Sequence, residues 1–235
     1  MKQKKAAAFA VVAVTLAFVA CGDGNVDQYN SRNRYDDASV FPPKIIGLES
    51  GTSQSPFALP YIISRNRVQT ADGSSVFINI EMTEGELFDR DSPRFTPDSG
   101  LFDTNYTGQY QISVYADARH PAVFTLPIES GEKPLNFSGD FPLQFDDYNG
   151  DKNPDFTLGQ WYDDNGYSYQ IFSVYQDRTI KRLPCEELRA ATADFSALFT
   201  RQEEGSFTCE VYDETLGEKV SRVYYWKDGA FLPRR

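Results

Sequence analysis

The chain has one histidine, two methionines, two tryptophans and three cysteines in 235 residues. The single histidine, His120, cannot supply the several imidazoles of a typical catalytic zinc site. It precedes Pro121 in a loop, with no nucleophile-elbow or papain-type motif elsewhere, so triad chemistry is set aside and His120 reads as an exposed loop residue. No glycine-rich phosphate loop is present, no basic stretch is interleaved with aromatics, and no segment repeats at a fixed period. Basic residues are the minority, 23 Lys and Arg against 34 Asp and Glu, for a net charge of -11. Such a surface repels nucleic acid and anionic lipid headgroups, which argues against a nucleic-acid partner.

Long apolar runs are confined to the first 20 residues. Lys2, Lys4 and Lys5 precede an apolar and small-residue run over residues 6–20, interrupted only by Thr15. That is the layout of a secretory signal peptide, and the run falls short of the ~20 residues that span a bilayer. It ends in Phe18-Val19-Ala20-Cys21, which resembles the lipobox of bacterial lipoproteins. Phe18 stands where that motif usually has Leu or a similar aliphatic. The resemblance implies cleavage after Ala20 and a diacylglycerol thioether on Cys21, with secretion after cleavage elsewhere as the alternative. Acyl chains such as palmitate contribute about 0.8 kcal/mol of membrane affinity per buried CH2, so two or three of them anchor stably. The implied location is the cell envelope, on the outer face of the cell membrane or at the outer membrane and periplasm. Loss of residues 1–20 removes three lysines and leaves 20 basic against 34 acidic residues, a net charge of -14.

Residues 21–39 are polar without apolar periodicity and read as a flexible tether. Residues 40–235 read as a β-rich domain, with 40% hydrophobic and 14% aromatic residues in the chain to fill a core. Short Val-, Ile-, Phe- and Tyr-rich runs alternate with Gly, Pro, Asn and Asp clusters, which predicts an antiparallel sandwich or partly open barrel. Val76, Ile78, Ile80 and Met82 share one strand face, as do Tyr110, Ile112 and Val114, and Phe124, Leu126 and Ile128. The polar stretch over residues 88–108 reads as a surface loop. Leu188, Ala191, Phe195, Leu198 and Phe199 recur at three- and four-residue intervals after Pro184, which predicts one short C-terminal α-helix. With Cys21 lipidated, Cys185 and Cys209 remain as a pair in an oxidising compartment, and a disulfide is expected, with two buried thiols as the alternative. Closing that loop contributes roughly 3 kcal/mol on the chain-entropy model.

The strongest chemical signal is the segment 146–159, DDYNGDKNPDFTLG. Over residues 147–155, Asp147, Asn149, Asp151 and Asp155 occupy positions 1, 3, 5 and 9, and the backbone carbonyl of Asn153 is expected at position 7. Oxygen donors at alternate positions of a curled loop converge on a hard cation, and in a calcium-rich exterior that cation is Ca2+. The segment looks like the calcium loops of the FG-GAP and VCBS repeat families over about fifteen residues, with Phe156 opening the next strand as in those families. Two departures are plain: Lys152 replaces the usual Gly at position 6, and only one copy is present, which argues against a propeller of such repeats. Leu158 at position 12 excludes an EF-hand. A metal-free Asx-rich turn is the alternative.

Beyond the loop, Asn165-Gly166 predicts a tight hairpin, whose strands carry Trp161, Tyr162, Tyr167, Tyr169 and Tyr175. Trp161, Tyr162, Tyr167 and Tyr169 are a candidate binding surface for a sugar or a protein, although cross-strand packing uses the same residues. Three functions follow. The first is a non-enzymatic envelope lipoprotein whose calcium-stabilised β domain binds a protein or glycan, the second an inhibitor or immunity protein against a lytic enzyme, the third a glycan-active hydrolase.

Overall fold

A computed structural model describes residues 59–89, 104–117, 119–131 and 133–234. The segments read as a signal sequence (1–20) and a tether (21–39), with Cys21, lie outside them. The described residues form three antiparallel sheets. The first contains β1 (Tyr61–Gln69), β2 (Ser75–Asp89), β3 (Thr104–Tyr115) and β4 (Phe124–Pro127) in that order, with β5 (Leu135–Phe137) also paired to β3. The second contains β6 (Phe145–Asp146), β7 (Asp155–Asp163), β8 (Gly166–Val174), β9 (Ile180–Leu183) and β10 (Arg189–Ala190), in the order β10-β8-β7-β6 with β9 also on β8. The third runs β11 (Thr200–Arg201), β12 (Ser206–Asp213), β13 (Glu218–Lys227) and β14 (Ala230–Pro233). None of the three closes on itself as a barrel.

Alternation in β2 and β3 does what its period requires. Ile78, Ile80 and Met82 stand opposite Val114, Ile112 and Tyr110, and all six are buried. Each fully buried side chain of this kind contributes about 1.5–3 kcal/mol, which fixes the register, since a one-residue slip would move the whole set to the opposite face. The other face is also buried but polar. Glu81 accepts hydrogen bonds from Asn79 Nδ2, Tyr115 OH, Ser113 Oγ and Gln111 Nε2 at 2.6 to 3.2 Å. A carboxylate so fully bonded is a structural element of the sheet.

β2 and β3 extend further than the loop predicted over residues 88–108. Phe88 pairs with Asn105 and Asp89 with Thr104, and only residues 90–103 lie outside the description. The extension passes a register shift between Met82 and Glu84. There a Cβ on Gly108 would stand 2.0 Å from the Glu84 carbonyl oxygen, so the polar residues continue the ladder only because glycine permits the crossing.

The predicted C-terminal helix does not form: among the described residues there is no helix. Residues 184–199 instead make an extended strap whose backbone groups are satisfied by neighbouring strands. Tyr169 N–H donates to Leu188 O, Gly159 N–H to Phe195 O, and Ala191 N–H to Glu210 O, at 2.7 to 2.9 Å. Thr192 Oγ1 donates to Asp194 Oδ2 at 2.9 Å and accepts from Asp194 N–H at 3.4 Å, local bonds that compete with helical ones. The apolar spacing that imitates a helix marks anchors: Leu188, Phe195, Ala197 and Phe199 are buried and Leu198 is exposed. Phe195 meets Phe137 of the first sheet at 5.1 Å, and Phe199 lies between Tyr169 of the second and Phe207 of the third, at 5.3 Å from each. The strap therefore joins all three sheets.

Candidate metal centre

β6 and β7 pair through Asp146 and Asp155, so residues 147–154 are the loop of a hairpin. Its carboxylates and amides organise the backbone. Asp147 Oδ1 accepts from Gly150 N–H at 2.9 Å and Asp147 Oδ2 from Lys152 N–H at 3.1 Å. Asn149 Oδ1 accepts from Asp151 N–H at 3.0 Å, and Asp151 Oδ1 from Asn153 N–H at 2.8 Å. Asp155 Oδ2 accepts from Tyr148 N–H at 2.9 Å and from Asn149 N–H at 3.4 Å. The loop is thus curled by its own side chains around backbone donors.

Lys152 resolves the first departure from the family pattern. Its φ is +69°, the left-handed conformation for which glycine is usual at position 6. A side chain there costs about 1–2 kcal/mol, against roughly 0.5–1 kcal/mol of extra entropy that glycine loses on folding. Lys152→Gly is therefore expected to stabilise the domain by up to about 1 kcal/mol in chemical denaturation.

Asp155 is the unusual member of the set. It is fully buried, and while Oδ2 takes two N–H bonds, Oδ1 has no hydrogen-bond partner. Burial pushes its carboxyl well above the ordinary range, with Asp151 and Asp147 raising it further. Hydrogen bonding from the Ser173 hydroxyl across the β7–β8 pair works the other way, although neither Asp155 Oδ1 nor Ser173 Oγ makes a bond of ordinary length and angle. Ionised, a carboxylate oxygen buried without a full donor is costly unless something positive takes it, which is why burial raises this group. Asp147 is also raised, first by burial, with its two N–H bonds and Arg201 acting the other way. Among the described residues no three His, Cys, Asp or Glu side chains form a ready-made ligand cluster. Asp147 and Asp151 oxygens each already accept a bond and keep a further lone pair, and Asp155 alone offers a buried oxygen with no bond of ordinary geometry. The donor set is all oxygen, on carboxylate and amide groups, which suits Ca2+.

Asp146, beside the loop, lies 3.7 Å from Arg201 Nη1. Tyr148, at the non-ligand position 2, was not singled out by the alternate-residue pattern. It is completely buried, and its OH accepts from Phe199 N–H at 3.0 Å.

The other predicted residues separate. Trp161 and Tyr162 are exposed near the tip of the β7–β8 hairpin, 38% and 45% respectively, and the Arg189 guanidinium stacks 3.7 Å over the Tyr162 ring. Tyr167 and Tyr169 belong to the core, and Tyr169 OH donates to Asp194 O at 2.7 Å, so they add nothing to an exposed surface. Of the expected Asn165-Gly166 pair, only Gly166 has positive φ; the turn is held by Asn165 N–H donating to Asp163 Oδ1. Cys185 and Cys209 are free thiols, turned toward strap carbonyls at Glu186 (4.0 Å) and Arg189 (3.6 Å). His120 is exposed and bonds Asp117 at 2.6 Å.

Comparison with protein-family models, curated proteins and solved structures finds no match to this chain.

Proposed function

We propose that this chain is a non-catalytic, calcium-stabilised β domain, exported and held at the cell envelope by lipid on Cys21, that presents Trp161 and Tyr162 to a protein or glycan partner. The observation that carries the metal assignment is the buried Asp155 oxygen without a partner, in a loop whose alternate residues all bear oxygen donors. When bound, the cation supplies positive charge to that oxygen; Asp147, Asn149, Asp151, Asn153 and Asp155 would hold it. The non-catalytic reading is favoured by the wiring of Glu81, whose carboxylate is occupied by four donors, and by the exposed position of His120. Within the β class, an open sandwich joined by the strap accounts for rings of all three sheets meeting Phe195 and Phe199. Calorimetric titration of the EDTA-stripped chain with CaCl2 tests the metal assignment. One site with a Kd of about 10⁻⁴ to 10⁻³ M is expected, and no binding at 10 mM would overturn it.

In an oxidising compartment we take Cys185 and Cys209 to pair. Burial pushes both thiols from 9 up to about 12, and Cys209 adds to the rise of Cys185. A group whose folded pKa is raised gives stability that is full below its unfolded value and lost as pH climbs through the folded one. The reduced protein is therefore expected to lose stability between pH 9 and about 12. Oxidised protein loses less over that window and gains up to roughly 3 kcal/mol at neutral pH. Urea melts with and without dithiothreitol, combined with a thiol count, check both.

A further inference from the structure

Tyr148 lies at position 2 of the loop, between Asp147 and Asn149, where no metal ligand is expected. Its two ends engage different parts of the molecule. Its N–H donates to Asp155 Oδ2 at 2.9 Å, on the carboxylate whose other oxygen is free. Its OH, on a completely buried side chain, accepts from Phe199 N–H at 3.0 Å and reaches Ala197 O at 3.5 Å. Its ring packs 5.1 Å from Phe207 and 6.1 Å from Phe199. One residue thus joins the carboxylate at the loop's base, through its backbone N–H, to the strap and β12, through its side chain. The loop meets the third sheet at two more points. A Cβ on Gly150 would stand 2.7 Å from Glu204 Cγ and 3.1 Å from Gly205 N in the β11–β12 turn, and Asp146 faces Arg201 of β11.

We propose that Tyr148 is a positioning residue that couples cation binding in the 147–155 loop to closure of the strap against the second and third sheets. The inference rests on the loop being a cation site. The Asp155 carboxylate is held firmly on the Oδ2 side by two N–H groups, while Oδ1 has only the nearby Ser173 hydroxyl and no bond of ordinary geometry. Once that oxygen is engaged, the carboxylate is fixed on both sides and the Tyr148 backbone with it. Because the phenol is enclosed by close-packed rings, fixing its backbone fixes the oxygen that accepts Phe199 N–H. Residues 197–199 also line a cleft of about 380 Å³ with Thr200, Thr208 and Glu210, so the same closure sets the shape of that cleft. Coupling of this kind is a free energy shared by two sites, and it is visible as a change at the strap when only the loop is occupied.

The test is amide hydrogen exchange on the full chain in EDTA and in 10 mM CaCl2, for wild type, Tyr148→Phe and Thr157→Val, alongside calorimetric calcium titration of each. Tyr148→Phe keeps the ring and deletes only the oxygen. Thr157→Val cuts a different tie to the strap, the reciprocal 2.8 Å bonds between Thr157 Oγ1 and the Ala197 backbone, which do not involve the loop. In wild type, calcium slows exchange of the Phe199 amide at least tenfold. In Tyr148→Phe the loop still binds calcium but the Phe199 amide no longer responds, whereas Thr157→Val retains the response. Calcium binding without slowing at Phe199 in wild type, or equal slowing in Tyr148→Phe, overturns the coupling and leaves the metal site standing. Absence of calcium binding in wild type overturns the metal site and the coupling together. The wild-type arm decides even if the variants fail to fold.

Discussion

Gly166→Ala is expected to destabilise the domain by about 3–5 kcal/mol and to lower its melting temperature by roughly ten degrees. Two separate costs combine there. The residue closes the β7–β8 hairpin at φ +145°, a conformation reached essentially only by glycine, which costs roughly 1–3 kcal/mol for any other residue. A Cβ would also stand 2.0 Å from Ala190 O and 2.8 Å from its carbonyl carbon, backbone atoms of the strap that cannot rotate away. Gly73→Ala separates the two costs, because Gly73 has φ +82° and nothing within 4 Å of its Cβ position. That variant is expected to lose about 1–2 kcal/mol, the backbone cost alone. Equal losses at the two positions in urea denaturation would mean that the hairpin does not approach β10 as described. The comparison bears on function too, since Trp161 and Tyr162 are carried by this hairpin, and Arg189, stacked on Tyr162, is in β10.

Those parts of the fold governed by local period were legible in the sequence. Ile78, Ile80 and Met82 alternate with polar residues because one face of β2 is apolar core and the other a polar layer around Glu81, and period two leaves no other placement. The strap was not legible, for a physical reason. Leu188, Phe195 and Phe199 are buried, the two phenylalanines against rings of all three sheets, and anchors at those intervals along an extended chain cannot be told from the stripe of a helix. Only the destinations of the backbone groups decide, and these are long-range: Glu210 O takes Ala191 N–H and Gly159 N–H goes to Phe195 O. The candidate site was legible where chemistry is local. The Asp and Asn alternation from 147 to 155 follows from loop curvature, and the left-handed Lys152 shows that a residue mismatch need not be a conformational one. Tyr148 escaped because its role depends on Phe199, 51 residues away. Tyr167 and Tyr169 were read as surface because aromatic residues serve cores and binding faces equally well, and only the packing of Phe195 and Phe199 against them assigns the core.

Asp155→Asn is expected to reverse its rank against wild type when calcium is added. In EDTA, wild type must bury a carboxylate of which one oxygen takes two N–H bonds and the other takes none. Asparagine keeps an acceptor oxygen for Tyr148 and Asn149, removes the charge, and brings an NH2 group toward Ser173 Oγ, which has no partner of its own. The variant is therefore expected to be as stable as wild type without calcium, or more stable by about 1 kcal/mol. In calcium the balance inverts. At 10 mM, ten to a hundred times the expected Kd, a cation bound only by the folded state stabilises wild type by about 1.4–2.7 kcal/mol, which for a domain of this size is about 3–10 degrees. The variant has lost the anionic oxygen at position 9 and gains little. Asp155→Ala falls below wild type in both conditions, because Tyr148 and Asn149 N–H then lose their acceptor inside the fold. Thermal melts of the three proteins in 1 mM EDTA and in 10 mM CaCl2 give six temperatures, and the crossing of the wild-type and asparagine values is the signature of a cation at Asp155. Wild type above asparagine by the same margin in both buffers would make the loop a polar turn whose carboxylate serves only its own backbone.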